Sequence, residues 1–96
     1  MTDLRFAGVV EIMTVQTNAT GSNWVDFASN PCDALDIVNN TGAAIEYRRS
    51  GTGSSIQIPN GGSRLVAGVK NSNEISVRRV DLSNTQVTLT AEAITS

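Results

Sequence analysis

Turn-forming residues interrupt this chain about every ten positions, and this spacing constrains its fold more than any other feature. Between the interruptions, apolar and polar residues alternate over short runs, for example in residues 87–92. No stretch carries apolar residues at the i, i+3, i+4, i+7 positions of an amphipathic helix. The sequence therefore predicts an all-β fold, a small β-sandwich or barrel of about seven to eight antiparallel strands.

The length of the chain limits it to one domain. Its 96 residues supply a single modest core, and a domain of this size is only marginally stable by itself. The aromatic residues are few, so the core must consist mainly of Val, Ile, Leu and Ala. Residues 1–96 are interpreted as a single β domain, which association with partners or with further copies would stabilise.

Two local patterns make specific structural predictions. Residues 6–15 form a continuous, largely apolar run, which predicts either a strand covered on both faces or an arm that pairs with a neighbour. Residues 1–15 are accordingly a candidate arm or exchanged strand. Residues 34–38 and 45–47 alternate on either side of a tight turn at residues 39–42, and this arrangement predicts a β-hairpin.

Local sequence patterns also predict the positions of the aromatic residues and of one turn. Trp24 and Phe27 are expected to share the core face of a short strand, and Tyr47 is expected in the core. Asp81 begins a turn at residues 81–84, where its side chain is expected to accept a backbone hydrogen bond from two residues further on.

The chain offers little for catalysis. It contains no His, which is the commonest general base near neutral pH and the commonest metal ligand. Cys32, the single Cys, therefore has no His partner and is interpreted as a small packed hydrophobe, the alternatives being a reactive thiol or an intermolecular disulfide. Asp33 and Asp36 are interpreted as solvated acids, and the loop at residues 51–53 precedes a strand instead of the helix that a phosphate-binding loop requires. We expect no enzyme activity, no cofactor and no metal site.

Charge and hydropathy weigh against two further classes of partner. A formal net charge of −2 argues against a general nucleic-acid binder. No apolar run reaches the length of a membrane span, and the first residues lack the basic and apolar regions of a secretory signal peptide. We therefore expect no membrane partner.

Two strand-like segments, residues 45–49 and 75–79, each end on a pair of arginines and together hold four of the seven cationic side chains. Side chains alternate along a strand, so each pair is split between two faces. Arg48 shares a face with Glu46, and Arg78 shares a face with Ser76. Arg49 and Arg79 continue the apolar face and are expected at the rim of the core.

Three interpretations of these arginines remain open. In the first they are structural clamps, whose stems pack on the core rim and whose guanidinium groups meet a carboxylate, with Asp81 or Asp36 as candidates. In the second they bind a neighbouring subunit, since Arg is enriched at interfaces. In the third they contact nucleic acid, against which the acidic balance and the lack of interleaved aromatics weigh.

Residues 34–49, 58–61 and 75–87 are similar to small structural proteins of tailed bacteriophages. This resemblance covers about two-thirds of the chain, from Cys32 onwards. The resemblance implies a virion component, either a capsid decoration (cement) protein or a small part of a head spike, tail or baseplate. It also implies localisation in the virion after assembly in the host cytoplasm.

The composition, the strand pattern and the resemblance together predict one function, with one alternative. We expect a non-enzymatic virion structural protein that forms homo-oligomers, for example a trimer, and binds the major capsid protein or other virion proteins. Its interface or clamp residues are Arg48, Arg49, Arg78, Arg79 and Asp81. The alternative is a carbohydrate- or receptor-binding β-sandwich, for which Trp24 and Tyr47 would have to form an exposed aromatic platform.

Overall fold

The computed structural model describes residues 8–49 and 54–95, and over these residues the chain forms eight strands in two antiparallel sheets. One sheet has the order β1-β8-β3-β6 and is called sheet A; the other has the order β2-β7-β4-β5 and is called sheet B. The strands are β1 (Gly8–Gln16), β2 (Val25–Asp26), β3 (Ala34–Val38), β4 (Ile45–Arg49), β5 (Ile56–Ile58), β6 (Ser63–Ala67), β7 (Ile75–Arg79) and β8 (Thr88–Thr95). The predicted all-β fold of about seven to eight antiparallel strands is confirmed, and of the two predicted forms, sandwich or barrel, it is the sandwich.

The core lies between the two sheets. Alternate residues of each strand point into it, as the period of two in the sequence predicts. In β8, for example, Leu89, Ala91 and Ala93 are fully buried, while Thr88 and Thr90 are exposed. The core is mainly aliphatic, with two aromatic and two sulfur-containing residues, and its larger members include Leu35, Ile37, Ile45, Ile58, Ile75, Val77, Phe27 and Tyr47. Burial of this apolar surface is the main stabilising term in the fold.

The predicted hairpin between residues 34–38 and 45–47 is wrong. β3 pairs with β6 and β8 in sheet A, whereas β4 pairs with β5 and β7 in sheet B. The connection therefore arches from one sheet to the other. Gly42 does have the positive φ expected of a turn, at +89°.

Asn39 holds this arch in place. Its side chain is fully buried, and Nδ2 donates to the carbonyl oxygens of Ala43 and Ile58, each at 2.8 Å. Its Oδ1 accepts from the backbone N–H and the hydroxyl of Thr41. A hairpin turn exposes its central residues to water, whereas the amide of Asn39 satisfies buried backbone groups at the edge of the core.

β1 is an edge strand that pairs with β8 of the same chain over residues 8–16. Met13 and Val15 are buried against the core, but Ile12 on the opposite face is 58% exposed. The expectation that this segment is covered on both faces is therefore wrong within the chain. Residues 1–7 lie outside the described residues, and the exchange of this segment between copies stays a prediction.

The turn at residues 81–84 has the expected geometry. The backbone N–H of Ser83 donates to Asp81 Oδ1 at 3.0 Å, which confirms the predicted hydrogen bond. Leu82 takes the left-handed conformation, with φ of +57°. The backbone of this turn lies against Gly21, where an added Cβ would stand 2.2 Å from the Ser83 carbonyl oxygen. The absence of a side chain at residue 21 is thus required for the two loops to meet.

Within the described residues, no helix is long and apolar enough to cross a membrane.

Candidate functional site

The alternation along β4 and β7 divides each arginine pair between two faces, as expected. Arg78 lies opposite Glu46, and Arg48 lies opposite Ser76, on the outer face of sheet B. Arg49 and Arg79 point to the other side, at the rim of the core. The four arginines consequently have four different environments.

Arg78 makes three contacts within its own chain. Its Nε lies 3.4 Å from Glu46 Oε2, and Nη1 donates to the Ser22 carbonyl at 2.9 Å. Its guanidinium carbon lies 4.4 Å from the centroid of the Trp24 ring. Glu46 is nearly buried and also accepts a hydrogen bond from Ser55. Arg78 therefore neutralises a carboxylate that has little access to water.

Arg79 is also bound within its own chain. It makes a bidentate pair with Asp81, with Nε–Oδ1 and Nη2–Oδ2 distances of 3.0 and 2.8 Å. Its Nη1 donates to the Thr85 carbonyl at 3.1 Å. The hydrogen bonds from Arg79, and after them the backbone N–H of Ser83, hold the pKa of Asp81 below its ordinary value. The other suggested partner was wrong, because Asp36 lies on the outer face of sheet A.

Arg49 joins the two sheets but retains unused donors. Its Nη2 donates to the carbonyl of Ala67, on the edge strand of sheet A, at 2.6 Å. Nearby, Arg64 Nε donates to the Tyr47 hydroxyl at 3.2 Å and links the same two strands. Arg49 itself is exposed, and among the described residues no carboxylate pairs with it.

Arg48 has the fewest partners of the four. Its guanidinium carbon also lies 4.4 Å from the centroid of the Trp24 ring. Among the described residues it makes no hydrogen bond or ion pair, and its Nε is buried without an acceptor. A buried donor without an acceptor costs roughly 1–3 kcal/mol, so Arg48 is held less favourably within the chain than the other three arginines.

A pocket of about 180 Å³ lies where β4 ends and β5 begins. It is lined by Tyr47, Arg48, Arg49, Ser54 and Ile56. We call this region, without the buried Tyr47, the arginine end, and define it as Arg48, Arg49, Ser54 and Ile56. It combines two arginines and a serine with an isoleucine that is 44% exposed, and it can therefore receive a carboxylate beside an apolar group.

The aromatic residues do not all lie where expected. Phe27 and Tyr47 are buried in the core, as predicted. Trp24 is half-buried on the outer face of sheet B, so its expected core position is wrong. Trp24 and Phe27 are three residues apart, and an odd separation places two strand residues on opposite faces. The sequence did carry this information in its spacing.

The outer face of sheet A carries a row of four residues that the sequence analysis did not single out. Ile12, Glu92, Asp36 and Leu65 lie directly opposite one another across β1, β8, β3 and β6. We call this row the acidic face. Asp36 and Glu92 are half-buried neighbours, and Ile12 and Leu65 flank them with 58% and 40% of their surfaces exposed. Alternation alone predicts that each carboxylate faces outwards, but not that β3 and β8 pair in this register.

The remaining chemically active groups do not form a centre. Cys32 is buried, and burial, followed by the charges of Asp33 and Glu74, raises the pKa of its thiol. Over residues 8–49 and 54–95, no three His, Cys, Asp or Glu side chains are placed to hold a metal ion.

Comparison of the chain with protein-family models, with curated proteins and with solved structures found no match.

Proposed function

We propose that this protein is a non-enzymatic structural protein of a tailed-phage virion, a capsid decoration protein that forms homo-oligomers and attaches to the particle surface. Its arginines provide two kinds of contact. Arg78 and Arg79 are clamps that hold the chain together through Glu46 and Asp81. Arg48 and Arg49 are anchors for a neighbouring protein.

The observation that carries this proposal is the unequal use of the four arginines. Arg78 and Arg79 each have a carboxylate and a carbonyl acceptor. Over residues 8–49 and 54–95, by contrast, Arg48 contacts only an aromatic ring and has a buried Nε without an acceptor. Arginine at an interface commonly supplies bidentate hydrogen bonds to an acceptor on the partner. Two anchors next to an exposed isoleucine support an interface better than they support a reaction centre.

The geometry does not favour the carbohydrate-binding alternative. That function requires an aromatic ring open to the sugar. Over the described residues, Tyr47 is buried, and both Arg48 and Arg78 lie on the ring of Trp24. The two rings do not form one platform.

Co-sedimentation with assembled empty capsids of the phage that encodes the protein tests the proposal. The folded protein should pellet with these particles at a saturable stoichiometry. Capsids of an unrelated tailed phage provide the control and should leave it in the supernatant. A folded protein that stays in the supernatant with both kinds of capsid would contradict the proposed function.

The contribution of the anchors can be separated from net charge with a matched pair of variants. Arg49→Gln removes a charge from the arginine end, and Lys70→Gln removes the same charge from an exposed residue elsewhere. A charge-assisted hydrogen bond is worth about 1.5 kcal/mol, or roughly tenfold in affinity. We expect Arg49→Gln to weaken particle binding by about this factor and Lys70→Gln to have little effect.

A further inference from the structure

We infer that the oligomer is built head to tail, with the acidic face of one copy seated on the arginine end of the next. This inference rests on the proposed function, because it names the contact by which the copies associate. Its partner is a second copy of this chain. The two surfaces are defined by Ile12, Glu92, Asp36 and Leu65 on one side and by Arg48, Arg49, Ser54 and Ile56 on the other.

Within the part of the chain that the structure describes, the acidic face lacks a counter-charge. Asp36 and Glu92 lie directly opposite each other on β3 and β8. Like charges directly opposite in an antiparallel pair destabilise the sheet. Among the described residues, neither carboxylate has a hydrogen bond or a cationic partner. The pair is therefore better placed against a cationic surface than against water.

The arginine end, conversely, has hydrogen-bond donors that lack acceptors among the described residues. Within residues 8–49 and 54–95, Arg48 Nε has no acceptor, and Arg49 donates from one nitrogen to a backbone carbonyl. Arg48 and Arg49 are consecutive at the end of β4 and both line the pocket there, and Asp36 and Glu92 lie directly opposite each other on neighbouring strands, with Cβ atoms about 5 Å apart. Each arginine can form a charge-assisted pair with a carboxylate of the acidic face.

The exposed apolar residues fall on the same two surfaces. Four large hydrophobic side chains are exposed in the described residues: Ile12, Ile56, Leu65 and Leu82. Ile12 and Leu65 flank the two carboxylates of the acidic face, and Ile56 lies at the arginine end. An interface between these surfaces would remove three of the four from water. It would thus combine apolar burial with charge pairing, as protein interfaces do.

Charge also determines the symmetry of the contact. A two-fold contact between acidic faces would bring four carboxylates together, and one between arginine ends would bring four guanidinium groups together. Like-charge contacts of this kind are strongly unfavourable and suppress association. The favourable contact is therefore heterologous, which produces a closed ring if the rotation closes and a filament if it does not.

Two charge-reversed variants test this arrangement. The first, Asp36→Lys with Glu92→Lys, reverses the acidic face; the second, Arg48→Glu with Arg49→Glu, reverses the arginine end. Each alone would set like charges against each other at every contact, so each should have the monomer mass of 10.1 kDa at concentrations where the wild type associates. In an equimolar mixture every contact between unlike variants is attractive, and assembly should return.

Circular dichroism and thermal melts establish that each variant is folded, and Lys70→Glu is the control for charge reversal elsewhere on the surface. A milder variant, Asp36→Asn with Glu92→Gln, removes the repulsion without reversing charge. It should weaken association and raise the melting temperature of the monomer, because the opposed charges are gone.

The outcomes separate this inference from the proposed function. If the wild type associates but both folded reversed variants keep its mass, the head-to-tail contact is wrong and the proposed function stands. A mixture of folded variants that stays monomeric also overturns the contact. If the wild type is itself monomeric at all concentrations, the contact and the homo-oligomer fail together, while the capsid co-sedimentation still tests attachment.

Discussion

Arg48 and Arg78 stand on different strands, yet their guanidinium carbons lie at the same distance, 4.4 Å, from the centroid of the Trp24 ring. They differ in what else they bind. Arg78 also reaches Glu46 and the Ser22 carbonyl, whereas Arg48 has no acceptor among the described residues. Substitutions at these two positions therefore distinguish the energy of stacking on Trp24 alone from the energy of stacking combined with an ion pair.

Replacement of each arginine by methionine should have unequal effects on the free energy of unfolding. Arg48→Met removes a cation–π contact worth about 0.5–1 kcal/mol, and it also removes the buried Nε, so the loss should be under about 1 kcal/mol. Arg78→Met leaves the nearly buried Glu46 carboxylate without its cation and should cost about 2–3 kcal/mol. Urea unfolding monitored by the fluorescence of Trp24, the single tryptophan, measures both. Equal losses would show that Glu46 gains little from Arg78.

Asp81 should make stability depend on pH in acid. Its pKa is lowered in the folded chain by the hydrogen bonds from Arg79 and then by that from the Ser83 N–H. A carboxyl with a lowered folded pKa stabilises the fold above its unfolded pKa, and this stabilisation is lost as pH falls through the folded pKa. The loss should thus begin below about pH 4. Urea unfolding at a series of pH values should show a shallower acid decline for Asp81→Asn than for the wild type. An identical decline in the two proteins would exclude this role.

Asn39 should be a strong stability determinant even though it is polar. Asn39→Ala leaves the buried carbonyls of Ala43 and Ile58 without a donor, and the expected cost is about 3 kcal/mol. Its neighbour Asn40 is exposed, and Asn40→Ala is the control. Its free energy of unfolding should change by no more than about 0.5 kcal/mol. Thermal and urea unfolding measure both. Similar losses for the two variants would mean that the arch does not depend on Asn39.

Gly21 should tolerate no side chain, because of a close backbone approach. In Gly21→Ala, the new Cβ would lie 2.2 Å from the Ser83 carbonyl oxygen and 2.3 Å from that of Leu82. Both are backbone atoms, so the loops must separate, at a cost of at least about 3 kcal/mol. Gly42→Ala is the matched control: it meets no atom within 4 Å but has φ of +89°, and it should cost about 1 kcal/mol. The free energy of unfolding in urea distinguishes a steric cost from a conformational one.

Local features of this fold were predictable, because their causes are local. The alternation in residues 87–92 predicts which side of β8 is buried, and Asp81 forms its turn with the N–H two residues away. The division of each arginine pair between two faces follows from the same period of two.

Partnerships between distant segments were not predictable from these patterns. A turn sequence at residues 39–42 suits a hairpin and an arch equally, and only the burial of Asn39 and the pairing of β3 with β8 distinguish them. The acidic face depends on a register between strands that lie more than 50 residues apart. Strand register is determined by packing across the whole sheet, which the alternation of a single strand does not encode.

The molar mass of the pure wild-type protein in solution, measured by light scattering over a range of concentrations and salt, tests the central claim most directly. An oligomer whose copies are held together by contacts between the acidic face and the arginine end should have, at low salt, a molar mass that is a multiple of 10.1 kDa. The mass should fall towards that of the monomer as salt screens the charges. A mass of 10.1 kDa at every concentration and every salt would contradict the account.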